Sequence, residues 1–169
     1  MAATARLFIA LWPTPAVLGA VLAQREHWTW PRGVRQVAPA KLHLTLHFLG
    51  AVAAARIPEL IAALDGPAPA FTLRLDTAEV WRQGVAVLAP GAPPPELQAL
   101  HSRLGAALQK LSLPVEARRY RPHLTLARDA RGATPPAAVE PIDWPLSAVR
   151  LVQSQGGRYE MLAQWPGRP

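Results

Sequence analysis

The sequence predicts an α+β fold in two similar halves, and three observations carry that expectation. Short apolar and alternating segments are interspersed with two or three amphipathic helical stretches. The 19 Pro and 11 Gly among 169 residues divide the chain into many short elements. One four-residue word occurs twice, as His43-Leu44-Thr45-Leu46 and His123-Leu124-Thr125-Leu126. Random placement at this composition predicts about 0.005 copies of that word, so the repeat marks a duplicated element. No linker separates the halves, and residues 1–169 are expected to form a single bilobal domain.

Taken in order, Arg6 to Trp12 is an apolar run stopped by Pro13 and reads as a strand. Thr14-Pro15 is an N-cap followed by proline at the first helical position, and Val17, Leu18, Val21 and Leu22 carry a helix to about Glu26. Val34 to Val37 is a short extended piece, and Lys41 to Leu49 is the first motif strand, with Gly50 expected to end it. Arg56 to Leu64 is helical and is stopped by Asp65-Gly66-Pro67. Phe71 to Leu75 and Val85 to Leu88 are strands. Leu97, Leu100, Leu104, Leu108 and Leu111 form one stripe on a helix from Glu96 to about Leu111. Tyr120 to Arg128 is the second motif strand, Gly132 to Pro141 a Pro-rich surface loop, and Val149–Gln153 with Tyr159–Gln164 a hairpin turning at Gly156-Gly157.

Composition excludes several classes. Half the residues are hydrophobic, too many for a disordered chain. Cysteine is absent, which removes disulfides, thiolate nucleophiles and zinc–sulfur sites. No apolar run reaches the length of a membrane span, and Leu7 to Trp12 is too short for a signal segment, so a soluble cytoplasmic protein is expected. The net charge of +7 is nearly all arginine, whose planar fork suits phosphate oxygens and points to an anionic partner. Base-composition bias in the gene would produce the same charge, so charge alone decides nothing.

The repeated word carries the chemistry. Alternate side chains on a strand face opposite ways, so the leucines bury while His and Thr share the other face, roughly 6.6 Å apart. A lone histidine on an apolar strand is most often a core residue; two copies, each with a threonine beside it, favour an acid–base pair with hydroxyl donors. His43, His123, Thr45 and Thr125 are therefore the catalytic candidates. His47 is four residues from His43, a metal-ligand spacing on a helix but not on a strand, and no acidic residue or Cys stands near it to complete a ligand set. It remains a secondary candidate for the cleft. Arg128, Arg121, Tyr120 and Phe48, which flank the two words, are the further substrate-binding candidates, whereas Arg118 and Arg131 read as solvated rim and His27 and His101 as structural or surface residues.

Two HxTx words on opposed strands resemble the 2H phosphoesterases. Arg6-Leu7-Phe8-Ile9-Ala10-Leu11, His43 to Gly50, Tyr120 to Arg128 and Leu151-Val152-Gln153-Ser154 most resemble the branch of RNA 2′,3′-cyclic phosphodiesterases, also called 2′-5′ RNA ligases. Gly84 to Leu88 departs from the bulkier, Trp-containing strand usual there, a space that Trp81 could fill. The resemblance implies two antiparallel sheets with flanking helices, facing each other across a central cleft with one HxTx strand from each. It implies hydrolysis of RNA 2′,3′-cyclic ends to 2′-phosphates, with His43 as proton donor and His123 as proton acceptor. It further implies no metal or cofactor, a monomer, and RNA ends, tRNA fragments or small cyclic nucleotides as partners. The alternatives left open are ATP-independent 2′-5′ ligation as the main activity, and a module that binds RNA ends without turning them over.

Overall fold

The computed structural model describes residues 2–67 and 69–166. In chain order its strands and helices are β1 (Thr4–Leu11), α1 (Pro15–Glu26), β2 (Arg35–Gln36), β3 (Leu44–Ala53), α2 (Ile57–Leu64), β4 (Thr72–Leu75), β5 (Thr77–Trp81), β6 (Val85–Ala89), α3 (Pro95–Lys110), β7 (Leu124–Arg128), β8 (Ile142–Pro145), β9 (Val149–Gln155) and β10 (Arg158–Trp165). Every strand pairing is antiparallel. The main sheet runs β10-β9-β1-β3-β7-β6-β5, with β2 beside β7, and β4-β8 forms a separate two-stranded sheet.

The main sheet is two half-sheets joined by a single residue pair. β1 matches β3 along its whole length, and β6 matches β7 over three pairs, but β3 meets β7 only at Leu44 opposite Leu124. That pair is the second residue of each HLTL word. The seam between the halves therefore runs through the motif itself. The leucines behave as period 2 requires: Leu42, Leu44, Leu46, Leu124 and Leu126 are at most 3 % exposed, while His43, Thr45, His123 and Thr125 are only half-buried. Each fully buried leucine contributes about 1.5–3 kcal/mol relative to an exposed one, so the register that turns His and Thr outward is strongly held.

α1 begins where expected, with the Thr14 hydroxyl accepting from the Val17 N–H at 3.3 Å. The α3 stripe buries Leu97, Leu100, Leu104 and Leu108 in the main core. Several expectations need correction. Gly50 does not end the first motif strand; with φ near +69° it sits in a bulge, and β3 continues to Ala53. Both motif strands start later than predicted, at Leu44 and Leu124, so each histidine stands immediately before its strand. The cause is Pro39, which opens a 3-10 turn over Pro39–Lys41, and Pro122, whose missing N–H cannot join a ladder. The strand expected from Tyr120 is thus not formed over its first four residues; residues 111–123 are a loop. Strands β5 (Thr77–Trp81) and β8 (Ile142–Pro145) escaped the sequence reading; β8 directly follows a Pro-rich stretch that reads as loop.

Candidate active site

The two histidines are held in the same way. His43 Nδ1 donates to the Lys41 carbonyl at 2.6 Å, and His123 Nδ1 donates to the Arg121 carbonyl at 2.8 Å, each two residues upstream. With Nδ1 committed as a donor, Nε2 is the nitrogen left to exchange protons. His43 Nε2 lies 3.1 Å from the Thr45 hydroxyl. Among the described residues His123 has no matching bond to Thr125, which is half-buried opposite Val87.

Each imidazole also leans on a tryptophan. Trp12 stacks on His43 at 4.8 Å and 13°, with Phe8 at 5.0 Å and Tyr159 edge-on at 5.7 Å. On the other half Trp81 lies 4.4 Å from His123, and the Arg121 guanidinium lies 4.3 Å from the Trp81 ring. Burial is the main cause that pulls both histidines below the usual imidazole range. The Lys41 carbonyl opposes it at His43, where His123 and Arg128 push further down. The Arg121 carbonyl opposes it at His123, where Arg121 and Arg128 push down. Arg128, exposed at the end of β7, pushes both imidazoles in the same direction.

Beside the pair lies a cavity of about 670 Å³ whose wall includes Thr45, Phe48, His123, Tyr120, Arg121 and Arg128. Of the sequence candidates, His43 and Thr125 are not part of that wall. His47 touches it, but a register shift between Ile9 and Ala10 on β1 inserts one extra residue of β3 and turns His47 off the face of His43 and Thr45. The His47 ring is 5 % exposed and bonds the His101 carbonyl at 2.8 Å.

That bond belongs to a stack that the sequence did not reveal. His47, His101 and Tyr120 lie ring on ring, at 4.0 Å and 18° and then 3.9 Å and 13°. The Tyr120 hydroxyl donates to the Thr45 carbonyl at 2.9 Å, and the His101 ring bonds the Leu46 carbonyl. Three elements far apart in sequence, β3, α3 and the loop before β7, are thereby stitched together behind Thr45. Burial, with His47 beside it, holds His101 down to about 4 against the Leu46 carbonyl and Glu116, and burial raises the Tyr120 phenol. His101 had no signal in the sequence beyond its place near the apolar stripe of α3. Among the described residues no group of three or more His, Cys, Asp or Glu side chains converges as a metal site would require.

A duplicated antiparallel α+β frame with an imidazole and a hydroxyl from each half defines a phosphoester-processing class. The profile of the 2′-5′ RNA ligase superfamily matches residues 23–158, and the chain belongs to that family, the 2H phosphoesterases. A relative from Escherichia coli K12, an RNA 2′,3′-cyclic phosphodiesterase, is 35% identical over 131 residues, covering 76% of this chain and 74% of its own. The crystal structure of E. coli LigT complexed with 3′-AMP superposes with a TM-score of 0.83 at 29% identity, over 96% of this chain and 98% of the other. A protein from Thermus thermophilus superposes with a TM-score of 0.77 at 27% identity, over 94% and 96% of the two chains. Among the described residues no helix is long and apolar enough to cross a membrane.

Proposed function

We propose that the protein hydrolyses RNA 2′,3′-cyclic phosphodiester ends to 2′-phosphomonoesters by paired-histidine acid–base catalysis that needs no metal or cofactor. The observation that carries this reading is the matched pair of Nδ1–carbonyl bonds, which leaves one Nε2 on each motif for proton exchange, with Arg128 acting on both rings. His123 takes a proton from water as the water oxygen bonds to phosphorus. The P–O3′ bond breaks, and His43 gives its proton to the departing 3′ oxygen. The products are a 2′-phosphate and a free 3′-hydroxyl, and the two histidines re-equilibrate their protons with solvent.

The unequal hydrogen bonding of the two motifs supports this order of roles. His123 lines the open cavity and, among the described residues, has no hydroxyl bonded to Nε2, which leaves it free to meet water, while His43 is engaged by Thr45 within its aromatic surround. Thr45, Thr125 and Arg128 hold the non-bridging oxygens and offset the charge that develops on them. The 35% identical E. coli relative, named as an RNA 2′,3′-cyclic phosphodiesterase, supports the same reaction class.

The test is product analysis on a short RNA ending in a 2′,3′-cyclic phosphate, with EDTA present. A 2′-phosphate formed at the same rate with and without chelator is expected. A 3′-phosphate product, a ligated RNA as main product, or loss of activity that Zn²⁺ or Mn²⁺ restores would overturn the reading.

A further inference from the structure

The two motif histidines differ in what covers their rings. Phe8, Trp12 and Tyr159 close around His43 into a cluster of four rings in which every pair is in contact. The centroids lie 4.8, 5.0 and 5.7 Å from His43 for Trp12, Phe8 and Tyr159, and 5.1, 6.0 and 6.3 Å from one another. Of the three, Trp12 alone lies nearly parallel to the imidazole, at 13°; Phe8 tilts by 30° and Tyr159 stands at 81°. Trp12 directly follows β1 and is fixed in turn. Its indole N–H donates to the Ala40 carbonyl at 3.2 Å, within the 3-10 turn whose Lys41 carbonyl holds His43 Nδ1. One turn therefore sets both rings of the stack. Among the described residues His123 has a single ring neighbour, Trp81, inclined at 53°, and that ring already carries the Arg121 guanidinium at 4.3 Å.

A proton donor must hold its charge until it gives the proton away, and the surroundings of His43 work against that. Burial, His123 and Arg128 all press the ring toward its neutral form, and the Lys41 carbonyl opposes them. The Lys41 ammonium, bonded to the Gly157 carbonyl, lies 5.2 Å from Tyr159, and the Arg150 guanidinium lies 5.7 Å from Trp12. The Thr45 hydroxyl completes the set, and no carboxylate stands among these groups. What remains to favour a positive ring is an aromatic face, whose negative potential attracts a cation, most strongly in tryptophan. Resting on the hydrolase reading above, we propose that Trp12 is a positioning residue for the reaction. Its indole face fixes the plane of His43 and favours the imidazolium, so that His43 enters the cycle as proton donor and His123 as base.

NMR titration of ¹³C-labelled histidine rings tests this without turnover, with the His43 signal assigned by its absence in His43→Asn. Trp12→Leu keeps an apolar side chain over the ring and removes the π-face. At one fixed pH the protonated-to-neutral ratio of His43 should fall about 2- to 30-fold, as loss of a cation–π contact predicts. Trp12→Phe should fall between leucine and wild type. A space-filling role predicts the opposite sign, because water entering where the indole stood would favour the charged form. A ratio that rises or stays level in Trp12→Leu overturns the proposal, and so does Trp12→Phe titrating like the leucine variant. Circular dichroism checks folding. Should the leucine variant not fold, Trp12→Phe is read against wild type, where a lower ratio supports the proposal and an equal or higher one overturns it. In kcat/KM against pH on a cyclic-phosphate RNA, one limb should move to lower pH in Trp12→Leu while the other stays; a shifted titration with an unmoved bell overturns the proposed role in the reaction. A shifted titration in a protein that does not turn over this RNA supports the hold of Trp12 on His43 and sinks hydrolysis alone. Normal turnover with an unshifted titration sinks Trp12 alone.

Discussion

Replacing Tyr120 with Phe deletes one oxygen and nothing else, which makes it a sharp test of the stack behind Thr45. The ring keeps its place against His101 at 3.9 Å, while the 2.9 Å bond from the phenol to the Thr45 carbonyl is lost. A typical hydrogen bond contributes about 0.5–1.5 kcal/mol net, and the poorly solvated carbonyl left behind raises the cost to about 1–2 kcal/mol. For a chain of 169 residues that lowers Tm by about 2–8 °C. The same bond positions Thr45, whose hydroxyl meets His43 Nε2 at 3.1 Å. A displacement of a few tenths of an ångström there should reduce kcat by about 3- to 10-fold. Differential scanning calorimetry and initial rates on a cyclic-phosphate RNA measure both effects, with kcat rather than KM carrying the loss. A variant with unchanged Tm and unchanged kcat would refute the claim that the stack positions the motif. Loss of Tm alone would leave it a purely structural device.

Further outcomes follow from the site. His43→Ala and His123→Ala should each lower turnover by about 10²- to 10⁴-fold, and the double variant should be scarcely worse than either, because the two act as a unit; losses that multiply would contradict a shared site. Thr45→Val keeps the β-branched shape and removes the hydroxyl at 3.1 Å from His43, so kcat should fall about 10- to 10³-fold with folding intact; a fully active Thr45→Val would make the threonine a strand former only. Burial pulls both motif histidines below the usual imidazole value, so the kcat/KM bell for the free enzyme should centre on the acid side of pH 6.5, and the kcat bell should lie higher because bound phosphate raises both groups; a kcat optimum below that of kcat/KM would reverse the electrostatics. His101 is depressed in the folded state to about 4, so the unfolded chain binds its proton first: stability is full above about pH 6.5 and falls as pH drops toward 4, and urea unfolding of His101→Phe should show a shallower acid limb than wild type.

The sequence by itself determined the two repeated words and the faces their side chains occupy. Period 2 is a local property of an extended backbone, so the burial of Leu42, Leu44 and Leu46 and the outward turn of His43 and Thr45 were legible from spacing alone. The helices were equally legible, since Thr14 and the leucine stripe of α3 act within one turn of themselves. Tertiary structure decided everything that depends on a partner strand or a distant ring. An extra residue in β3 opposite Ile9 and Ala10 turned His47 away from the motif face, because a bulge is a property of two paired strands and leaves no mark in one. His101 and Tyr120 entered the site through a stack closed across 54 and 75 residues of chain, and β8 became a strand only by pairing with β4, 69 residues away at Arg74 and Asp143. Local patterns specify which side chains share a face; only the closing of long loops, which no window of sequence contains, brings the two copies of the motif side by side at Leu44 and Leu124.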